Sequence, residues 1–293
     1  MEQTATLGHP ALIVPAPDPT FWIDDSVSRF LCAVEERARS GGVVNVLLVG
    51  PTGTGKSSLP REFAAARKRL FFTMHCQLID EPGDWWGIRE MSPEKGTYFQ
   101  KAALVDALET PGCVILLDEA NRTRPENLNA LFGLLDHRRR AWVPSLQREV
   151  VVAPGVVLFI TLNEGVDYAG TEMVDRALRD RISNTIRTDY PPKQAEVALL
   201  TRRTGLDEAT SGKLVEFAQT IRRNPKLETA VSTRQLLECA ALVKVGLPLR
   251  DAVLFSVVNG AMEDVDRKAL LQSLQLTGAV KDAYTEALWD EDE

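Results

Sequence analysis

Residues Gly50 to Ser57 read G-P-T-G-T-G-K-S, and no other stretch constrains the chain as strongly. The spacing is that of a phosphate-binding loop, G-x-x-x-x-G-K-[ST], with Gly50, Gly55, Lys56 and Ser57 at the defining positions. Its glycines, Gly50, Gly53 and Gly55, let backbone N–H groups close around phosphates, and Pro51, Thr52, Thr54 and Ser58 complete the candidate nucleotide-binding loop. Lys56 is placed to reach the β and γ oxygens, and the Ser57 hydroxyl to ligate Mg²⁺. A helix starting near Lys56 would aim its electropositive end at the same anion.

The surroundings fit such a loop. Val43 to Val49 is a short apolar run of strand formers, and Ser58 to Arg69 continues at helical spacing, so the loop falls between strand and helix. Further on, Cys113 to Glu119 (C-V-I-L-L-D-E) is an apolar strand ending in two acids. Asp118 is the candidate second Mg²⁺ ligand and Glu119 the candidate group that polarises an attacking water. Val156 to Leu162 is a third buried strand, ending at Asn163, whose amide can orient that water or sense the γ-phosphate. Arg176, Arg179 and Arg181 follow, and one of them could serve a neighbour's phosphate instead of a surface salt bridge.

The spacing predicts a Pro-rich extended arm up to about Thr20, then a helix capped by Asp24, Asp25 or Ser26. Two hairpins are expected: one joining Ile88–Met91 to Thr97–Phe99, the other joining Ala141–Val143 to Glu149–Val152. Trp85 and Trp86 beside the first are expected to anchor the core, with a partner-binding tip as the alternative. Arg124 to His137 reads as one amphipathic helix. Arg138-Arg139-Arg140 reads as a solvated turn or, alternatively, a pore-facing or subunit-bridging cluster. Tyr190-Pro191-Pro192 marks a boundary, beyond which every segment up to Met262 has helical spacing. Arg234 sits in the first turn of one such helix; an arginine gains nothing from the dipole there, which points to an external anion such as phosphate. The expected division is an arm and helix over 1–40, an α/β nucleotide-binding core over 41–190, a helical lid over 191–272, and a C-terminal helix with an acidic tail over 273–293.

A net charge of −7 argues against salt-driven attraction to nucleic acid. No apolar run reaches membrane-spanning length, and the first residues show no secretory signal. Cys32, Cys76, Cys113 and Cys239 form no C-x-x-C pair, which fits reduced thiols in a cytoplasmic protein.

Together these residues resemble the AAA+ ATPases, and among them the MoxR group with its CbbQ, NorQ and GvpN types. G-P-T-G-T-G-K-S matches Walker A, V-I-L-L-D-E-A-N-R Walker B, T-L-N ending at Asn163 sensor 1, and S-T-R with Arg234 sensor 2. L-R-D-R-I resembles the arginine-finger segment and points to Arg181, with Arg179 as the rival; Ile182 stands where Phe is usual. The two hairpins are similar to the helix-2 and pre-sensor-1 inserts of this clade, although Gln100-Lys101-Ala102 replaces the usual Gly-Pro-Leu.

The resemblance implies a P-loop AAA+ core with a doubly wound parallel sheet, two β-hairpin inserts and a small all-α lid. It also implies ATP with Mg²⁺ and a homo-oligomeric ring, usually hexameric, with ATP held between subunits. Such a protein remodels or activates a client, often through a partner carrying a von Willebrand factor A domain. Two other readings stand beside this one: a nucleic-acid motor of the restriction or helicase kind, and a nucleotide-gated scaffold with little turnover.

Overall fold

A computed structural model describes residues 10–94, 96–163, 176–182, 184–224, 227, 230–261 and 263–276. The expected acidic tail lies outside them, as does the Arg179 side chain. The chain divides into two compact units between Asp189 and Tyr190.

The first unit is built on β1 (Val44–Gly50), β2 (Phe71–His75), β5 (Val114–Asp118), β8 (Val157–Asn163) and β9 (Asn184–Arg187). They form one parallel sheet in the order β2-β5-β8-β1-β9. Strands β1 and β5 are buried throughout, as a parallel sheet covered on both faces requires. Alternate residues face opposite layers. Val46, Leu48, Leu116 and Phe159 pack with Leu31 and Val34 of α1 (Asp25–Arg39) and with Leu59 and Phe63 of α2 (Ser58–Ala66). Leu47, Val49, Ile115, Leu117, Leu158 and Ile160 pack on the other side against α3 (Ala103–Glu109), α4 (Pro125–Asn129) and α5 (Phe132–Leu135). This is the doubly wound arrangement, in which ligands bind beyond the carboxyl ends of the strands.

Asp24 caps α1. The helix expected from Lys56 begins at Ser58, because the N–H groups of Ser58 and Leu59 both close on Gly55 O. The arm is extended but docked: Leu12 is buried, and Ile13 exchanges backbone hydrogen bonds with Phe71, covering the open edge of β2.

Two hairpins stand off the sheet, β3 (Gly87–Ser92) with β4 (Gly96–Lys101), and β6 (Arg140–Val143) with β7 (Arg148–Val151). Both tryptophans are core anchors, and Trp85 Nε1 donates to Asn127 O at 2.8 Å. Two expectations need correction. The single helix over Arg124 to His137 is instead the pair α4 and α5, because around Ala130 and Leu131 the hydrogen bonds tighten to i−3 spacing. The triple arginine is not a uniformly solvated turn. Arg138 pairs with Asp136 and Arg140 with Glu149, but Arg139 turns inward to Leu134 O, Val156 O and Asn45 Oδ1. Burial lowers the Arg139 pKa to about 10.

α6 (Arg176–Arg181) leads into β9. The second unit contains α7 (Lys193–Thr204), α8 (Glu208–Arg222), α9 (Thr233–Lys244), α10 (Leu249–Ser256) and α11 (Asp264–Leu276) around its own apolar core. Within that core the fully buried Glu196 pairs with Arg222 at 2.8 Å and accepts from Thr233 Oγ1 at 2.6 Å. The Arg222 guanidinium also lies 3.7 Å over the Tyr190 ring, so the first residue of this unit is tied to the start of α9. Among the described residues no helix is long and apolar enough to cross a membrane.

Candidate nucleotide site

The parallel register brings four strand ends into line. Gly50 is paired with Asn163, and His75 with Asp118. The candidate loop therefore leaves β1 beside the end of β8, one strand from the two acids.

The loop is held by its backbone. Gly50 has φ +154, and a Cβ there would overlap the carbonyl of Thr188, whose N–H bonds Val49 O at 2.8 Å. Only glycine fits this approach. Gly53 (φ 76) and Gly55 (φ 87) occupy the left-handed region that side chains avoid. Thr54 Oγ1 donates to Pro51 O at 2.9 Å and lies 2.8 Å from Thr188 Oγ1. Lys56 is buried, and its Nζ donates to Gly50 O (2.7 Å) and Pro51 O (2.6 Å), which places the ammonium inside the curve of the loop. Phe21, from the docked arm, closes on Gly55.

Ser57 Oγ donates to Asp118 Oδ1 at 2.8 Å, so the two candidate metal ligands stand together. Thr161 Oγ1 donates to the same oxygen at 2.6 Å and accepts the Glu119 N–H at 2.7 Å. His75 Nδ1 lies 3.6 Å from Asp118 Oδ2. Glu119 itself adopts φ 54, ψ 52, a conformation that costs a non-glycine residue of order 1 kcal/mol or more. That turn swings its carboxylate toward β8, where Asn163 Nδ2 donates to Oε1 at 2.9 Å. Asn121 Nδ2 holds Asn163 O at 3.0 Å, while its buried Oδ1 has no hydrogen-bond partner among the described residues.

The structure thus brings Gly50, Pro51, Thr52, Gly53, Thr54, Gly55, Lys56, Ser57 and Ser58 together with Asp118, Glu119 and Asn163. Arg181 is elsewhere. Asn45 Nδ2 donates to Arg181 O, at the opposite end of β1 from the loop. Arg234 belongs to the second unit, exposed in the first turn of α9 behind a capping box of Ser232 and Gln235. Sequence reasoning missed Thr161, Thr188 and Asn121. Thr161 had a signal: it is the one hydroxyl in the apolar run V-L-F-I-T-L, two residues before Asn163 and hence on the same side of β8.

Residues 45–182 match the AAA domain of the dynein-related subfamily, and residues 196–277 match the C-terminal domain of CbbQ, NirQ and NorQ. BssE of Thauera aromatica, a candidate chaperone by name, is 37% identical over 83% of this chain and 84% of its own. The chain belongs to the MoxR group of AAA+ ATPases. Among its AAA+ relatives, the denitrification regulatory protein NirQ of Stutzerimonas stutzeri is 26% identical over 78% of this chain and 82% of its own. The AAA+ fold extends to more distant structures. The Thermotoga maritima RuvB Holliday junction branch migration motor superposes with a TM-score of 0.53 at 15% identity, covering 92% of this chain and 76% of that one. The FIGL-1 AAA domain in complex with ADP gives 0.52 at 16% identity, covering 93% and 89%.

Proposed function

We propose that the protein is a Mg²⁺-dependent ATPase whose subunits assemble into a ring, usually hexameric in this group, to remodel or activate a client protein. The observation that carries the hydrolytic part of this reading is the hydrogen bond from Asn163 to Glu119, the residue next to Asp118 of the Ser57–Asp118 pair. It joins a carboxylate able to take a proton from water to an amide able to orient that water.

The donor set fits a magnesium nucleotide. Ser57 and Asp118 offer two hard oxygen ligands that would hold Mg²⁺, an ion that needs few protein ligands when phosphates are bound. Among the described residues no group of three or more His, Cys, Asp or Glu could form a protein-only cage. Bound Mg-ATP supplies the γ-phosphoryl group and an ion that spreads its charge. The loop Gly50 to Ser58 would cradle the phosphates with the backbone N–H groups that follow Pro51, and Lys56, now held by Gly50 O and Pro51 O, would supply its ammonium to phosphate oxygens. Thr161 fixes Asp118 and the backbone of Glu119. Glu119 accepts the water's proton while Asn163 holds the pair in line.

Arg181, standing away from its own loop, completes a neighbour's site, and Arg234 keeps the sensor 2 role that the group resemblance implies. Arg179 is the alternative finger. The client role follows from BssE, a candidate chaperone by name, a von Willebrand factor A partner from the group resemblance, and a cytoplasmic location from the scattered cysteines. A net charge of −7 favours a protein client over nucleic acid.

Steady-state phosphate release from Mg-ATP tests the chemistry. Wild type should turn over, and Glu119→Gln should bind ATP but hydrolyse it at least about 100-fold more slowly. Equal turnover in the two would replace hydrolysis with a nucleotide-gated scaffold.

A further inference from the structure

The surroundings of Arg181 carry more than its position. Asn45 is buried at the start of β1, and its carboxamide serves three partners: Nδ2 donates to Leu135 O (2.6 Å) and Arg181 O (3.1 Å), and Oδ1 accepts from Arg139 Nη1 (3.1 Å). Arg139 O in turn accepts the N–H of Val152 at 2.8 Å where the second hairpin closes. The last residue of α6 is therefore fixed through one amide to the base of that hairpin. Its guanidinium is fixed too, with Cζ 4.4 Å over the ring of Phe132 in α5.

These contacts decide which phosphate Arg181 can meet. Asn45 and Gly50 are five residues apart on β1, about 16 Å, well beyond the length of an arginine side chain. Its own loop is out of reach. A guanidinium drawn over an aromatic ring is held by cation–π attraction, and it is the group suited to bidentate recognition of a phosphate. The ring contact also settles the torsions of a long side chain before the anion arrives, so less freedom is lost in reaching it.

We propose that Phe132, backed by the Asn45–Arg139 pair, is the positioning residue that pre-sets Arg181 for the nucleotide of a second copy of this chain. The proposal rests on the reading that ATP is hydrolysed between subunits. It also makes the second hairpin a mechanical neighbour of the finger, since Arg139, which precedes β6, and Arg181 share the carboxamide of Asn45.

The test is ATP turnover by the full chain in pure and mixed oligomers. Phe132→Leu should lower kcat about 3- to 30-fold, the range of one cation–π contact, and leave KM within about twofold. Phe132→Tyr, which keeps the ring, should restore it. Should the leucine variant fail to fold, Phe132→Met serves in its place. Mixing the Phe132 variant with Glu119→Gln subunits, which add little turnover of their own but carry an intact Phe132 and Arg181, should raise turnover per variant subunit. Arg181→Ala mixed in the same way is the control. A gain with Arg181→Ala but none with the Phe132 variant would overturn the positioning role while leaving the finger in place. No gain with either would remove the shared site, and the proposal with it.

Discussion

The side-chain amide of Asn163 donates to Oε1 of Glu119 across 2.9 Å, joining the end of β8 to the residue after β5. Glu119 reaches this partner only through its left-handed backbone, and the Thr161 hydroxyl holds that backbone by its N–H. Strain in a catalytic candidate is thus balanced by contacts from the adjacent strand. Glu119→Gln should retain ATP binding and lose turnover by about 10²- to 10⁴-fold. Asn163→Ala should lose about 10²- to 10³-fold with ATP affinity little changed. Single-turnover hydrolysis and nucleotide titration separate the two effects.

Thr161 makes two hydrogen bonds with one oxygen, donating to Asp118 and accepting from Glu119. Thr161→Val keeps the shape, takes the acceptor from the Glu119 N–H and leaves Asp118 Oδ1 with Ser57 alone of its two hydroxyl donors, at a cost of about 1–3 kcal/mol. Thermal unfolding should fall by roughly 3–10 °C. The Mg²⁺ concentration for half-maximal turnover should rise, because Asp118 loses its anchor. An unchanged metal requirement would confine Thr161 to a structural role.

Gly50 admits no side chain beside the Thr188 carbonyl. Gly50→Ala should destabilise the first unit by roughly 2–3 kcal/mol and weaken ATP binding by at least about tenfold, measured by denaturant unfolding and nucleotide titration. Gly83→Ala, where nothing crowds the added methyl, is the matched control and should do neither.

In the second unit the Glu196–Arg222 pair is wholly desolvated on the acid side and only 10% exposed on the arginine side. Arg222→Met leaves the carboxylate buried without its partner and should cost about 3–5 kcal/mol. The double variant Glu196→Gln/Arg222→Met should recover part of that loss in a double-mutant cycle. Because Thr233 also bonds Glu196, the single variant should loosen the start of α9, next to Arg234.

What could be read from the sequence was what is local along it. The phosphate loop, the Asp118-Glu119 ending and Asn163 each follow a short apolar run, so residue type and spacing were enough to place them at strand ends. Contacts made between strands left weaker marks. Thr161 beside Asp118 depends on β5 and β8 being neighbours, and Asn45 matters only because α5, α6 and the second hairpin converge on it. Each nevertheless showed as a lone polar residue in an otherwise apolar strand. The inward turn of Arg139 had no such mark, since three consecutive arginines look alike until one of them finds two backbone carbonyls and an amide oxygen. The break between α4 and α5 was hidden for the same reason: Leu128, Leu131, Phe132 and Leu135 keep helical spacing across it.

Whether hydrolysis belongs to a site shared between subunits is decided by native mass and ATPase rate, measured together for wild type, Glu119→Gln and Arg181→Ala with and without Mg-ATP. A shared site gives a nucleotide-stabilised oligomer in all three, turnover per subunit that rises with assembly in wild type alone, and a roughly 10³-fold or greater loss in Arg181→Ala despite intact ATP binding. A monomer that hydrolyses ATP at the full rate, with Arg181→Ala as active as wild type, would contradict it.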